Sequence, residues 1–303
     1  MVLRAVASLT HETMSDEPEC RVASSASPYP VPPPVLQAIS SMQARYFEPI
    51  TLTDLASEVF VSPFHFSRVF ARATGVTPGR FLTAVRLFEA KRLLLTTSLT
   101  VSDIVCSVGY SSVGTFTSRF TQAVGMTPTQ YRDPEVGEVL VAVAPHFQRL
   151  PSLHTLRDTG YNCSSLRVGT GVITARIEMP KGAAPADVLV GVFADDIPQS
   201  SPVAFGGMAG AGSGEVTIPG VPEGEWTVLA VAAHAPGTPG TTFSVGTLAS
   251  RVTVGCHGRV RATFAMREPR PIEPPFAVTL AERPTPLAGR SGLPRRPYLR
   301  AVA

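Results

Sequence analysis

Phe64, Ser67, Arg68 and Arg72 recur at helical spacing on the side of a segment opposite Phe66, Phe70 and Ala73. A guanidinium at position 68 can fork two hydrogen bonds onto a guanine edge, and a thymine methyl can meet an aromatic ring at position 64. His65 and Arg72 on the same helix are open between a phosphate contact and an idle surface position. If Phe66 and Phe70 fill the core, Phe64 is left wet in an isolated domain, and a DNA groove edge would dry it. The chemistry is recognition. No Ser-His-Asp or Cys-His arrangement stands out among His146, His154, His234 and His257. Cys20, Cys106, Cys163 and Cys256 are scattered without zinc-ligand spacing, so we expect free thiols, no metal and no enzymatic activity. The glycines at 206, 207, 210, 212 and 214 are followed by neither Lys-Ser nor Lys-Thr, so they read as a flexible hairpin connection with no nucleotide cofactor. Asp195 and Asp196 read as a turn.

The elements that hold these residues are legible because the chain states them twice. Phe66, Phe70, Gly75, Thr77 and Pro78 recur as Phe116, Phe120, Gly125, Thr127 and Pro128, the pattern F-x-x-x-F-x-x-x-x-G-x-T-P. Phenylalanines four apart share a helix face, and a glycine five residues on stops the helix. Upstream, Thr51 with Asp54 and Thr100 with Asp103 have capping-box spacing. Each copy is therefore expected to be a helix-turn-helix, the first turning at Phe60 to Ser62 and the second at Gly109 and Tyr110. In the second copy Phe116, Phe120 and Ala123 face inward, and Gly114, Thr115, Ser118 and Arg119 point outward or to the side. A first helix is expected from Val35 to about Phe47. A long helix from Pro78 to about Thr96, with Phe81, Val85, Phe88 and Leu95 facing the core, connects the two units.

From Asp133 the texture changes to alternating apolar and polar residues punctuated by Gly and Pro. Strands are expected at 138–144, 172–178, 188–194, 203–206, 215–218, 225–232, 251–254, 259–266 and 277–281. The fold class is thus two domains, an all-α double helix-turn-helix followed by an all-β antiparallel sandwich. Residues 1–34 are expected to be a disordered Pro-rich leader, 35–132 the helical domain, 133–282 the β-domain and 283–303 a disordered basic tail. Residues 35–132 carry 9 Lys or Arg against 5 Asp or Glu, residues 133–280 carry 10 against 13, and residues 281–303 carry 5 against 1. A basic helical region and tail suit a phosphate-facing surface. No apolar run reaches the roughly 18 residues of a membrane span, so a cytoplasmic protein without a membrane partner is expected.

At residues 35–132 the chain resembles the DNA-binding domain of the AraC/XylS family of bacterial transcription regulators. The resemblance rests on T-L-T-D-L-A-S-E-V-F-V-S-P-F-H-F-S-R-V-F-A-R-A-T-G-V-T-P from Thr51 and on V-G-Y-S-S-V-G-T-F-T-S-R-F-T-Q-A-V-G-M-T-P-T-Q-Y-R from Val108. It implies that two recognition helices enter successive major grooves on one face of double-stranded DNA. Carried over by position, Phe64, Ser67 and Arg68 match the base-facing places of the first reader, and Gly114, Thr115 and Ser118 those of the second. The family often has an arginine two residues before the second phenylalanine. Here Ser118 stands there and Arg119 follows, about 100° further around the helix, which leaves base and phosphate contact both open for Arg119. The expected role is transcription regulation, with activator and repressor both open, and RNA polymerase is a further candidate partner. Many members place an effector-binding domain before the DNA-binding one, the reverse of the order here, so the family says little about the β-domain. Its roles stay open between sensing a small-molecule effector, self-association, and carrying the main function as an interaction module with the helical domain as its DNA anchor.

Overall fold

The computed structural model describes residues 31–153, 156, 169–236 and 241–281. The leader up to residue 30 and the tail from 283, with its Arg290, Arg295, Arg296 and Arg300, lie outside the described residues. Among the described residues, the helices of the region up to residue 138 come before the first strand. The helices are α1 (Pro33–Arg45), α2 (Leu52–Glu58), α3 (Pro63–Thr74), α4 (Pro78–Thr96), α5 (Val101–Ser107), α6 (Val113–Val124), α7 (Pro128–Tyr131) and α8 (Pro134–Glu138). Two expectations need correction here. Pro33 and Pro34 belong to α1 and not to the leader, because proline is tolerated in the first turn, where its missing N–H has no intrahelical partner. Glu138 ends a short helix instead of opening a strand, since the Asp133 side chain caps it by accepting from Glu135 N at 3.0 Å.

The capping boxes form as their spacing demands. Thr51 and Thr100 each accept from the backbone N–H of the aspartate three residues on, and each aspartate accepts from the threonine's own N–H. Gly75 and Gly125 close α3 and α6 at φ of 79° and 85°, the left-handed region that glycine enters at least cost.

The strands are β1 (Leu140–Ala144), β2 (Phe147–Arg149), β3 (Gly171–Glu178), β4 (Ala186–Phe193), β5 (Ala204–Ala211), β6 (Gly214–Val221), β7 (Gly224–His234), β8 (Thr242–Thr247), β9 (Val252–Val254), β10 (Arg259–Ala265) and β11 (Phe276–Thr279). They form sheets ordered β11-β1-β2, β10-β3-β6 and β5-β4-β7-β8, with β9 paired to β7. The second and third sheets share a core of Ile173, Ile177, Val188, Val190, Val216, Ile218, Ala230 and Phe264. A purely antiparallel arrangement does not hold, because β10 lies parallel to β3 from Arg259 opposite Val172 to Ala265 opposite Glu178. Its predecessor β9 belongs to β7 on the other side, so β10 enters by crossing between layers rather than by a hairpin. The glycines of 206–214 are not a free loop either. Gly206, Gly207 and Gly210 are inside β5, and a Cβ at Gly207 would stand 2.7 Å from the Val188 carbonyl oxygen.

Strand β4 is buried along its whole length. Val188, Val190 and Val192 face the β3 layer, while Leu189 and Phe193 belong to a second core. That second core continues through β1 and β11 into Phe88, Leu94, Ile104, Phe116, Phe120 and Tyr131. Hydrophobic packing therefore runs unbroken across residue 133, from the second helix-turn-helix into the β-rich region. The first unit has its own core of Val35, Ile39, Met42, Leu55, Phe66, Phe70, Phe81 and Val85, to which the β-rich region adds Ile197 and Ile272.

Candidate nucleic-acid interface

Helix α3 is positioned from three sides. Its N-terminus is capped by Ser62, whose hydroxyl accepts from His65 N at 3.4 Å, and Pro63 occupies the first turn. Phe66 and Phe70 are buried, and the Phe70 ring meets Phe81 of α4 edge-on at 5.5 Å. This locks the opposite face outward. Phe64 is 73% exposed, and His65, Arg68 and Arg72 are exposed, whereas Ser67 is half-buried at the margin. The Arg68 guanidinium carbon sits 5.7 Å from the centre of the Phe64 ring, a cation–π contact that joins the two residues into one surface.

The acids nearby are already engaged. Asp54 serves the α2 capping box, and the Thr51 hydroxyl and N–H that donate to it hold its carboxyl below the usual range. Glu58 accepts from Ser41 at 2.6 Å and pairs with Arg45, ties that lower its carboxyl and join α2 to α1. Arg68 and Arg72 make no ion pair among the described residues, so the unit's free charge on this side is positive.

Helix α6 repeats the scaffold with other side chains. Ser112 accepts from Thr115 N at 3.3 Å, and Phe116 and Phe120 are buried against Tyr110 and Tyr131. Gly114, Thr115, Ser118 and Arg119 are exposed, as their positions require. Gly114 and Ser118 share one stripe. Arg119 lies off it, near enough to Tyr110 to counter the upward push of burial on the phenol.

The turns differ more than their sequences suggest. The backbone N–H of Val61 bonds Ala56 O and that of Tyr110 bonds Val105 O, so Phe60 and Gly109 are equivalent, at φ of 56° and 77°. Gly109 is required, since a Cβ there would stand 2.7 Å from Tyr46 O and 3.0 Å from Phe47 O. Phe60 occupies the same left-handed conformation at a cost of about 1–3 kcal/mol and is 94% exposed. Sequence reasoning treated it only as a turn residue. The available signal was an aromatic where the sister copy has glycine.

The connecting helix α4 carries a second feature that sequence reasoning missed. Lys91 is fully buried, and its Nζ donates to Gln199 O at 2.8 Å, Gln199 Oε1 at 2.9 Å and Ala277 O at 2.6 Å. Burial lowers its pKa to about 7. On the same helix Glu89 is buried between Arg92 at 2.8 Å and His146 at 2.7 Å, and Arg80 pairs with Asp196 at 3.2 Å. Asp196, read from sequence as a turn residue, also lies 3.5 Å from Arg251. No group of His, Cys, Asp and Glu able to hold a metal occurs among the described residues.

Residues 55–134 match a family model described as a helix-turn-helix domain. The chain is 31% identical over 98 residues to the lactose operon transcription activator of Staphylococcus xylosus, covering 32% of this chain and 35% of that protein. It is also 31% identical to the melibiose operon regulatory protein of Escherichia coli K12, covering 32% of each. Among solved structures it is similar to a transcriptional regulator from Chromobacterium violaceum described by its AraC-type DNA-binding domain, at 32% identity and a TM-score of 0.32, covering 33% of this chain and 89% of that one. The chain thus spans about a third of the length of these two curated relatives.

Proposed function

The helical region is a DNA-binding domain of the AraC/XylS family of transcription regulators, and from that premise we propose that the protein binds DNA sequence-specifically and regulates transcription by reading two adjacent major grooves. The observation that carries this reading is the pair of capped helices, α3 and α6, joined through one continuous 19-residue helix. At 1.5 Å per residue α4 is about 28 Å long, close to the roughly 34 Å between successive major grooves on one face of DNA. Arg68 forks onto a base edge, Phe64 meets a neighbouring base or methyl, and Ser67 flanks them. His65 and Arg72 take phosphates. Gly114, Thr115 and Ser118 let α6 approach closely but discriminate little, and Arg119, off the Gly114–Ser118 stripe, grips phosphate.

The β-rich region acts in this reading as a buttress of the second reader. Support comes from the core that joins Phe116, Phe120 and Tyr131 to β1 and β11, and from the Lys91 tie between α4 and residues 199 and 277. An effector or a second copy acting on the β-rich region would therefore reach α6 through packed side chains.

Selection of bound sequences from a random DNA pool tests the reading. The expected product is a site with two elements one helical turn apart, about 10 base pairs, the one facing α3 more sharply defined. Recovery of unselected sequence, or of a single short element, would refute it.

A further inference from the structure

We propose that Phe60 is an additional DNA contact of the first reader unit, laying its ring against the sugar and base-methyl surface at the margin of the half-site. This rests on the reading of α3 as a reader helix. Three observations converge on it. Phe60 holds a left-handed backbone conformation, φ 56°, that a bulky side chain adopts only at a cost, and it gains nothing from the interior in return, being 94% exposed. It stands two residues before the Ser62 cap of α3, and the N-terminal end of a reader helix is the end that approaches the bases. Phe64, four residues further on and 73% exposed under Arg68, extends the same apolar and cationic character.

The charge of the surroundings selects DNA over a protein partner as the occupant. Arg68, Arg72 and His65 are exposed on this unit, while Asp54 and Glu58 are turned to internal bonds with Thr51, Ser41 and Arg45. An exposed apolar ring on a unit whose Arg68 and Arg72 make no ion pair among the described residues suits a polyanion with apolar sugar and methyl surface. The second unit cannot have this contact, because its turn is packed onto the carbonyls of Tyr46 and Phe47 and admits only glycine.

The test uses the full chain with Phe60→Gly and Phe60→Asn, both at home at positive φ. Each variant should melt at the same or a higher temperature than the wild type, because the backbone strain is relieved. Each should nevertheless bind the selected duplex about three- to ten-fold more weakly, from lost apolar contact, with an unchanged salt slope, since no charge is removed. Unchanged affinity in both variants overturns the proposal. So does full affinity for DNA combined with a loss of promoter activity, which would assign Phe60 to a protein partner. Arg68→Ala is the control. If it loses specific binding while the Phe60 variants do not, only this inference fails. If it too binds like the wild type, the reader assignment of α3 falls and this contact falls with it.

Discussion

The two helix-turn-helix units share their caps, their phenylalanine pairs and their terminal glycines, yet they differ in what they expose and in what they lean on. The first presents Phe60, Phe64, Arg68 and Arg72, and its core is nearly self-contained. The second presents Gly114, Thr115 and Ser118, and its core is continuous with residues of β1, β4, β5, β7, β8 and β11. Under the proposed function, one scaffold is specialised in two directions, one copy toward reading and the other toward anchoring. Duplicated architecture fixes where side chains can stand, and the letters at a few positions decide what each copy does.

The most forceful way to break this comparison is to open each core in turn. Phe120→Ala and Phe66→Ala remove equally buried rings, each expected to cost about 3–5 kcal/mol. Phe120→Ala should also raise amide exchange in β1 and β11, whereas Phe66→Ala should confine the increase to α1–α3. Matching exchange patterns in the two variants would show that the units lean on the β-rich region alike.

Next in size is Lys91, the buried tie on the anchoring side. Its pKa in the folded protein is about 7, against an ordinary 10.5. Between those values the unfolded chain binds the additional proton, so this group makes the fold more stable as pH rises from 7 toward 10.5, and its full penalty stands below 7. Lys91→Met removes that dependence. In urea titrations the wild type should gain on Lys91→Met between pH 7 and 9.5, by up to about 1.4 kcal/mol per pH unit. A pH-independent difference would mean that Nζ keeps its proton throughout, held by the three carbonyl-type oxygens of residues 199 and 277.

These two cases also mark what the sequence could and could not disclose. The caps, the glycine stops, the phenylalanine spacing and nine of the strands are local signals, each decided within a few residues. Lys91 and Glu89 carry polar letters that predict a solvated face, and their burial depends on residues 199 and 277, more than a hundred positions away, or on His146. The parallel pairing of β10 with β3 is equally non-local. Strand β2 has three residues and β8 lies in a Gly/Thr-rich stretch, too little pattern for alternation to register. On the candidate interface, the outward positions followed from helical periodicity alone. Phe60 escaped because turn residues carry no periodicity, and only comparison of the two turns exposes it.

The reading side can be sharpened with paired substitutions at equivalent positions. Arg68→Ala should cost about 1–3 kcal/mol on the selected duplex and relax preference at one base pair, because a bidentate fork is lost. Ser118→Ala, at the matching place on α6, should stay within about 0.5 kcal/mol. Competition binding against single-base variants of the site measures both. Equal losses would make the two helices equivalent readers and remove the asymmetry.

The smallest expected effect is the one in which the units should not differ. Thr51→Ala and Thr100→Ala each delete the side chain of a capping box with the same partners, the aspartate N–H and carboxylate three residues on. Each should cost about 1 kcal/mol of stability, because one helix-terminal N–H loses its acceptor. Neither threonine lies on α3 or α6, so base preference should hold in both variants. Matching losses in denaturant midpoint with unaltered base preference place the caps in the shared scaffold. A larger loss at Thr100 would extend the anchoring role back to α5, whose Ile104 and Val105 belong to the same core as β1 and β11.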